Sequence, residues 1–163
     1  MGGRAIDSNK LFFEDFPIPE SVLVGPEGQG FKVVLEAMNA ERCLLAGEAI
    51  GTGLAALKRA TQYAHKRIVF SRPIGQNQGI AHPLAEVWMN LEAAKFVAYR
   101  AAQMFDEGTQ ASTTIGAYCN SAKHIAAEAA FKACEGTILT LGGMGYAQVC
   151  SPTRFPDLTR CVI

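Results

Sequence analysis

The sequence predicts an all-α fold, an antiparallel up-and-down helix bundle preceded by a short extended segment, and three observations predict it. Apolar residues recur at helical spacing over three long stretches. Each stretch is bounded by glycine or proline, which end helices. The connections between stretches are short, and short connections force neighbouring helices to run antiparallel.

The opening, Leu11 to Leu23, is rich in Phe, Val and Pro, and it reads as an extended piece, an edge strand or a linker, that ends at prolines. Gly25-Pro26-Glu27-Gly28-Gln29-Gly30 then breaks the chain, and the composition shifts at Gly30. Residues 1–30 are therefore read as an extended segment and residues 31–163 as a helical-bundle domain.

A short helix is expected at Phe31 to Glu36. A long one follows from Met38 to Ile68, with Ile50, Leu54, Leu57, Thr61 and Ala64 at offsets 0, 4, 7, 11 and 14 on one face. Beyond Ser71-Arg72-Pro73-Ile74-Gly75, Leu84, Val87, Trp88 and Leu91 fall at i, i+3, i+4 and i+7, and the pattern runs to Phe105 before Asp106-Glu107-Gly108 stops it. The third helix spans Thr113 to Leu141, with Ala122, Ile125, Ala126, Ala129 and Ala133 on one stripe and Gly142-Gly143 as its terminator. Each helix is about 40 Å long at a rise of about 1.5 Å per residue. These stripes predict that Trp88, Leu91 and Ile125 are buried between helices.

Composition excludes several classes. With 49% apolar and 18% charged residues the chain has the balance of a folded domain. Fifteen basic residues cancel fifteen acidic ones, so no net field recruits nucleic acid. No apolar run reaches the roughly 18 residues that read as a membrane span, and the expectation is a soluble intracellular protein. Cys43, Cys119, Cys134, Cys150 and Cys161 include no C-x-x-C pair and do not form a disulfide framework, which fits a reducing compartment. A di-iron bundle needs a Glu three residues before a His, but Gln62, Gly79 and Ser121 precede His65, His82 and His124, so no metal is expected. Gly51-Thr52-Gly53-Leu54-Ala55-Ala56 matches a dinucleotide fingerprint formally; inside a helix those small residues serve packing instead.

An ordered set of motifs resembles one family. It comprises Phe12-Phe13-Glu14-Asp15-Phe16-Pro17-Ile18-Pro19, Gly25-x-x-Gly28-x-Gly30-Phe31, Glu41-Arg42, Arg67-Ile68-Val69-Phe70-Ser71-Arg72-Pro73-Ile74, Gln76-Asn77-Gln78, Leu84-Ala85-Glu86 and Gly142-Gly143-Met144-Gly145-Tyr146. In order and spacing this is similar to the C-terminal helical domain of flavin-dependent acyl-CoA dehydrogenases. The resemblance implies that residues 1–30 hold the end of a β domain plus a linker. It also implies FAD at a subunit interface, a homo-tetramer built as a dimer of dimers, an acyl-CoA substrate, and an electron-transfer flavoprotein as electron acceptor. The compartment it implies is the cytoplasm of a bacterium, or the mitochondrion or peroxisome of a eukaryote.

The resemblance further assigns roles. Arg67, Phe70 and Gln78 correspond to residues that touch the pyrophosphate and adenosine half of FAD in a neighbouring subunit, and Gly142 and Gly143 to a turn where backbone approaches the same half. A guanidinium offers a charged fork to phosphate oxygens, and a glycine lacks the Cβ that would hold a ligand off. Leu139 stands where a glutamine is often found, and Val149 and Leu158 where acidic or amide residues are preferred, whereas Arg154 and Phe155 keep the register.

Most members carry the catalytic glutamate in a Tyr-Glu-Gly-Thr-like motif beyond the glycine turn, which is not present in this sequence. A minority place it on the long helix directly before an arginine. Glu41 occupies that position, with Arg42 beside the substrate and Glu48 two turns on as a secondary carboxylate. Glu41 is expected to point into a cleft and to take the α-proton of the thioester. The isolated chain is expected to be inactive. Two alternatives share the scaffold, a non-catalytic helical interaction or oligomerisation module and an acyl-CoA oxidase-like relative.

Overall fold

A computed structural model describes residues 9–146. They form a 3-10 turn (Glu20–Val22), helix α1 (Gly30–Lys66), strands β1 (Ile68–Val69) and β2 (Arg72–Pro73), a second 3-10 turn (Ile74–Gln76), and helices α2 (Gln78–Glu107), α3 (Ser112–Leu141) and α4 (Gly143–Tyr146). The readings of Val149, Cys150, Arg154, Phe155, Leu158 and Cys161 lie outside the described residues.

The three long helices run up, down and up. Asn39 lies against Gly116, Cys43 against Cys119 and Gly53 against Ala130, so α1 and α3 climb in the same direction in a constant register. Helix α2 returns antiparallel to both: Ile50 shares a cluster with Ala101 and Met104, whereas Ala60 and Ala64, further up α1, share one with Leu84 and Val87, nearer the start of α2. No helix among the described residues is long and apolar enough to cross a membrane.

Helix α1 is a single element of 37 residues, where a short helix and a separate long one were expected. Glu36-Ala37-Met38 contains no breaker, and Ala and Met are strong helix formers, so the helix propagates through the anticipated gap. It stops at Arg67, whose ψ of 114° is extended, after Lys66 has placed a cation at the negative end of the helix dipole. The opening segment is exposed throughout and carries a 3-10 turn. Pro17 and Pro19, each lacking an amide hydrogen, cannot donate to a ladder there.

More than half of the buried apolar side chains are alanines, drawn from all three long helices. Such small side chains let helix axes approach closely. One tight point is Gly53, where a Cβ would stand 2.6 Å from Leu91 Cδ2 and 3.2 Å from the Cα of Ala130. Leu91 is fully buried there, as its stripe predicts.

Two other core expectations are corrected. Trp88 is 54% exposed and Ile125 is 37% exposed. Leu84, Val87, Leu91 and Ala94 fill the inward face of α2, and Trp88, about 100° round the helix from Val87, falls outside the strip that α1 and α3 cover. Ile125 likewise stands beside Ala122, Ala126 and Ala129, which fill the seam on α3.

Gly53→Val should destabilise the chain by about 1–3 kcal/mol, because the added methyls meet a fully buried leucine and a backbone atom. Gly51→Ala, whose Cβ meets nothing within 4 Å, should instead stabilise it by roughly 0.5–1 kcal/mol through helix propensity. Urea midpoints of the two variants decide the matter, and an unchanged midpoint for Gly53→Val would mean that the helices do not meet there.

Candidate functional site

The length of α1 divides the predicted site residues into two groups. Glu41 and Arg42 lie in its lower third, Arg67 caps its upper end, and the 26 intervening steps correspond to about 39 Å. Phe70, Gln78, Gly142 and Gly143 all join Arg67 at the upper end, because α1 ends, α2 begins and α3 ends there.

At the lower end, α1 and the start of α3 enclose a cleft of about 380 Å³ whose lining includes Lys32, Glu36, Asn39, Arg42, Thr113 and Asn120. Arg42 Nη1 donates to Asn39 Oδ1 at 3.1 Å, and Asn39 is itself almost fully buried against Gly116. Arg42 is thus held by a fixed amide. Glu41 does not line this cleft. It is exposed, a correction to the expectation that it points inward, because one residue along a helix turns the side chain by about 100°. Glu41 shares its outward stripe with Val34, Leu44 and Glu48; Leu44 is 76% exposed. A second hollow, along Phe13 to Ile18, is walled by the exposed opening segment alone.

The upper end is built on a hairpin that periodicity did not disclose. Ile68 pairs with Pro73 and Val69 with Arg72, leaving Phe70 and Ser71 as a two-residue turn with φ of 51° and 63°. Positive φ at both central residues matches the strand twist, but it strains a side chain as large as Phe. Phe70 stands at the tip, almost wholly exposed. Ile74 N–H donates to the Arg67 carbonyl at 2.9 Å and returns the chain to the bundle. Arg72 Nη2 donates to Asn77 Oδ1 at 2.6 Å, while Asn77 Nδ2 donates to the Ile74 carbonyl at 3.0 Å. Asn77 therefore clamps the hairpin to the start of α2. Arg67 and Gln78 are exposed beside it.

The three glycines after α3 differ in their reasons. Gly142 has φ 58° and ψ −132°, a conformation open to glycine, and its N–H closes the helix on the carbonyls of Ile138 and Leu139. At Gly145 a Cβ would stand 2.6 Å from the carbonyl oxygen of Ile138. Gly143 has no such cause, since a Cβ there meets nothing within 4 Å. Its bare backbone is left facing open space.

Comparison with known proteins fits this geometry. Residues 28–161 match the family described as acyl-CoA dehydrogenase, C-terminal domain. The chain belongs to that family. It is 36% identical over 146 residues to an acyl-CoA dehydrogenase of Bacillus subtilis, covering 90% of this chain and 38% of the relative. It is 37% identical over 146 residues to the mitochondrial short-chain specific acyl-CoA dehydrogenase of Sus scrofa, covering 90% of this chain and 35% of that one. Its fold superposes on butyryl-CoA dehydrogenase from Megasphaera elsdenii with a TM-score of 0.84 at 29% identity, over 92% of this chain and 38% of that structure. The chain thus spans little more than a third of the acyl-CoA dehydrogenases it matches.

Asn39 and the Arg72–Asn77 pair carry structural weight that motif reading missed. The available signals were an amide one turn before Arg42 and an Asn at the boundary of α2. Asn77→Ala removes both arms of the clamp. Amide exchange at Val69 to Arg72 should then accelerate about fivefold, corresponding to roughly 1 kcal/mol for an exposed hydrogen-bonded pair. The melting temperature should move little. Unchanged exchange in the hairpin would show that the clamp is dispensable.

Proposed function

We propose that this chain forms one wall of an FAD-dependent active site that removes hydrogen from the α and β carbons of an acyl-CoA thioester, with Glu41 as the base. The observation that carries the reading is the separation of about 39 Å along one continuous helix between Glu41 and the Arg67 end. That span is too long for the base and the upper-end residues to adjoin within one copy at a single reaction centre. The upper end of one copy therefore serves a cofactor whose reacting part lies near Glu41 of another, which makes the working unit a homo-oligomer; the family resemblance implies a tetramer assembled as a dimer of dimers.

The upper end suits the adenosine and pyrophosphate half of FAD. Arg67 offers a charged fork to phosphate, Phe70 an exposed aromatic face, Gln78 an amide that donates and accepts, and the Gly142-Gly143 turn a backbone that a ligand can reach. When bound, FAD supplies the hydride acceptor. Glu41 takes the α-proton. Arg42, fixed by Asn39 in the cleft, holds the substrate beside it. A carboxylate becomes the stronger base as water is removed from it, and the exposed stripe of Val34, Leu44 and Glu48 is the surface on which the excluding wall docks.

Residues 1–30 are taken as the end of the β domain that supplies this wall, plus a linker. Phe12, Phe13, Phe16 and Ile18, all exposed, are the apolar faces by which that segment joins it. Electrons leave to an electron-transfer flavoprotein. The setting is an intracellular soluble one, the bacterial cytoplasm or a mitochondrial or peroxisomal matrix.

The test is a chimaera in which this chain replaces the matching part of the Megasphaera elsdenii butyryl-CoA dehydrogenase. Glu41→Gln should slow flavin bleaching by acyl-CoA at least about a hundredfold while flavin stays bound. Gly143→Ala should weaken FAD retention without lowering the melting temperature. Bleaching at the parental rate in Glu41→Gln would overturn the assignment and move the base elsewhere. The isolated chain, lacking the wall that orients the reactants, should show no steady turnover.

A further inference from the structure

Helices α1 and α3 carry one cysteine each at the same height. Cys43 Sγ approaches Cys119 Sγ to 3.6 Å, although 76 residues separate them in sequence. Cys119 is fully buried beneath Ala122 and Ile115, and Cys43 is half-buried at the rim of the same cluster. Both thiols are reduced, as is Cys134, which lies about 22 Å further along α3. A disulfide needs sulfurs at about 2.05 Å with backbones only about 4.4–6.8 Å apart between Cα atoms. The small-residue seam brings α1 and α3 close together at this height, where Asn39 meets Gly116 one turn before the pair.

We infer that Cys43 and Cys119 form a modification site, a thiol pair that a peroxide-class oxidant converts into a disulfide joining α1 to α3. Cys43, the accessible member, attacks the peroxide oxygen as thiolate. The O–O bond breaks, one oxygen stays on sulfur as a sulfenic acid, and the other leaves as water after taking a proton. Cys119 sulfur then attacks the Cys43 sulfur, the S–O bond breaks, and a second water departs. Two thiols lose two electrons and two protons, and one peroxide is reduced to two waters.

The site is slow by construction. Burial, then the Cys119 sulfur beside it and the negative charge of Asp106 on α2, push the Cys43 thiol up to about 12. Little thiolate exists at neutral pH, and the reaction quickens as pH rises. Because Cys43 directly follows Arg42, the link fixes the spacing of α1 and α3 beside the Asn39–Gly116 edge of the lower cleft.

The purified reduced chain, treated with hydrogen peroxide at pH 9, digested without reductant and mapped by mass spectrometry, tests this. The expected product is a peptide joining Cys43 to Cys119, lighter by two hydrogens, abolished by dithiothreitol and absent in Cys43→Ala. Cys43→Ala removes only the rim thiol, so folding should survive; if it does not, the wild-type peptide map decides alone. Linkage of Cys43 mainly to Cys150 or Cys161, or its conversion to sulfinic acid with Cys119 left as free thiol, overturns the proposal.

Discussion

Everything in this fold depends on how closely α1 comes to the other two helices. At Gly53 there is no room for a Cβ between α1, Leu91 of α2 and the backbone of Ala130 in α3. Alanines continue that contact in both directions, so the three helices are held together along their length. A continuous α1 of 37 residues then acts as a ruler, setting Glu41 and Arg42 toward one end and Arg67 with the hairpin at the other. A seam of small side chains has a second consequence. It lets the neighbours cover only a narrow strip of each helix, and Trp88, Met89, Phe96 and Tyr99 stand exposed on the outer side of α2. Exposed apolar faces of that kind are the usual means by which proteins join one another, in keeping with the oligomer proposed for the family member.

Much of the bundle was legible in the sequence because helical periodicity survives without tertiary information. Leu91 and the small-residue stripe of α3 are read correctly from spacing alone. Trp88 and Ile125 are not, because spacing gives the width of an apolar stripe but not how much of it the neighbours cover. Phe31 to Glu36 merged into α1 because nothing in Glu36-Ala37-Met38 interrupts hydrogen bonding. The hairpin escaped notice for a different reason. Its strands are two residues each, and its turn uses Phe70 and Ser71 at positive φ rather than the glycine or asparagine that announces such turns.

The sequence names the candidate site's residues but not their arrangement. Sequence neighbours Glu41 and Arg42 diverge, one exposed and one drawn into a cleft by Asn39. Sequence-distant Arg67, Gln78 and Gly143 converge, because three helix ends meet at the top of the bundle. Among the glycines that read alike as a motif, Gly142 answers to backbone conformation and Gly145 to crowding, while Gly143 answers to neither. That difference is invisible in a string of letters and becomes plain once the Ile138 carbonyl is in place.

The central claim is that the base and the cofactor-tail residues of one active site come from different copies of the chain. Subunit complementation measures this directly. Chimaeric enzyme bearing Glu41→Gln alone and enzyme bearing Arg67→Ala alone are each inactive by this account, and the two are then co-expressed with distinct tags and isolated as mixed oligomers. A site shared between copies pairs an intact Glu41 from one subunit with an intact Arg67 from the other, so the mixed oligomer should recover a substantial part of wild-type activity. If both residues instead served a site within one copy, every site would carry one lesion, and mixed oligomers as inactive as their parents would contradict the account.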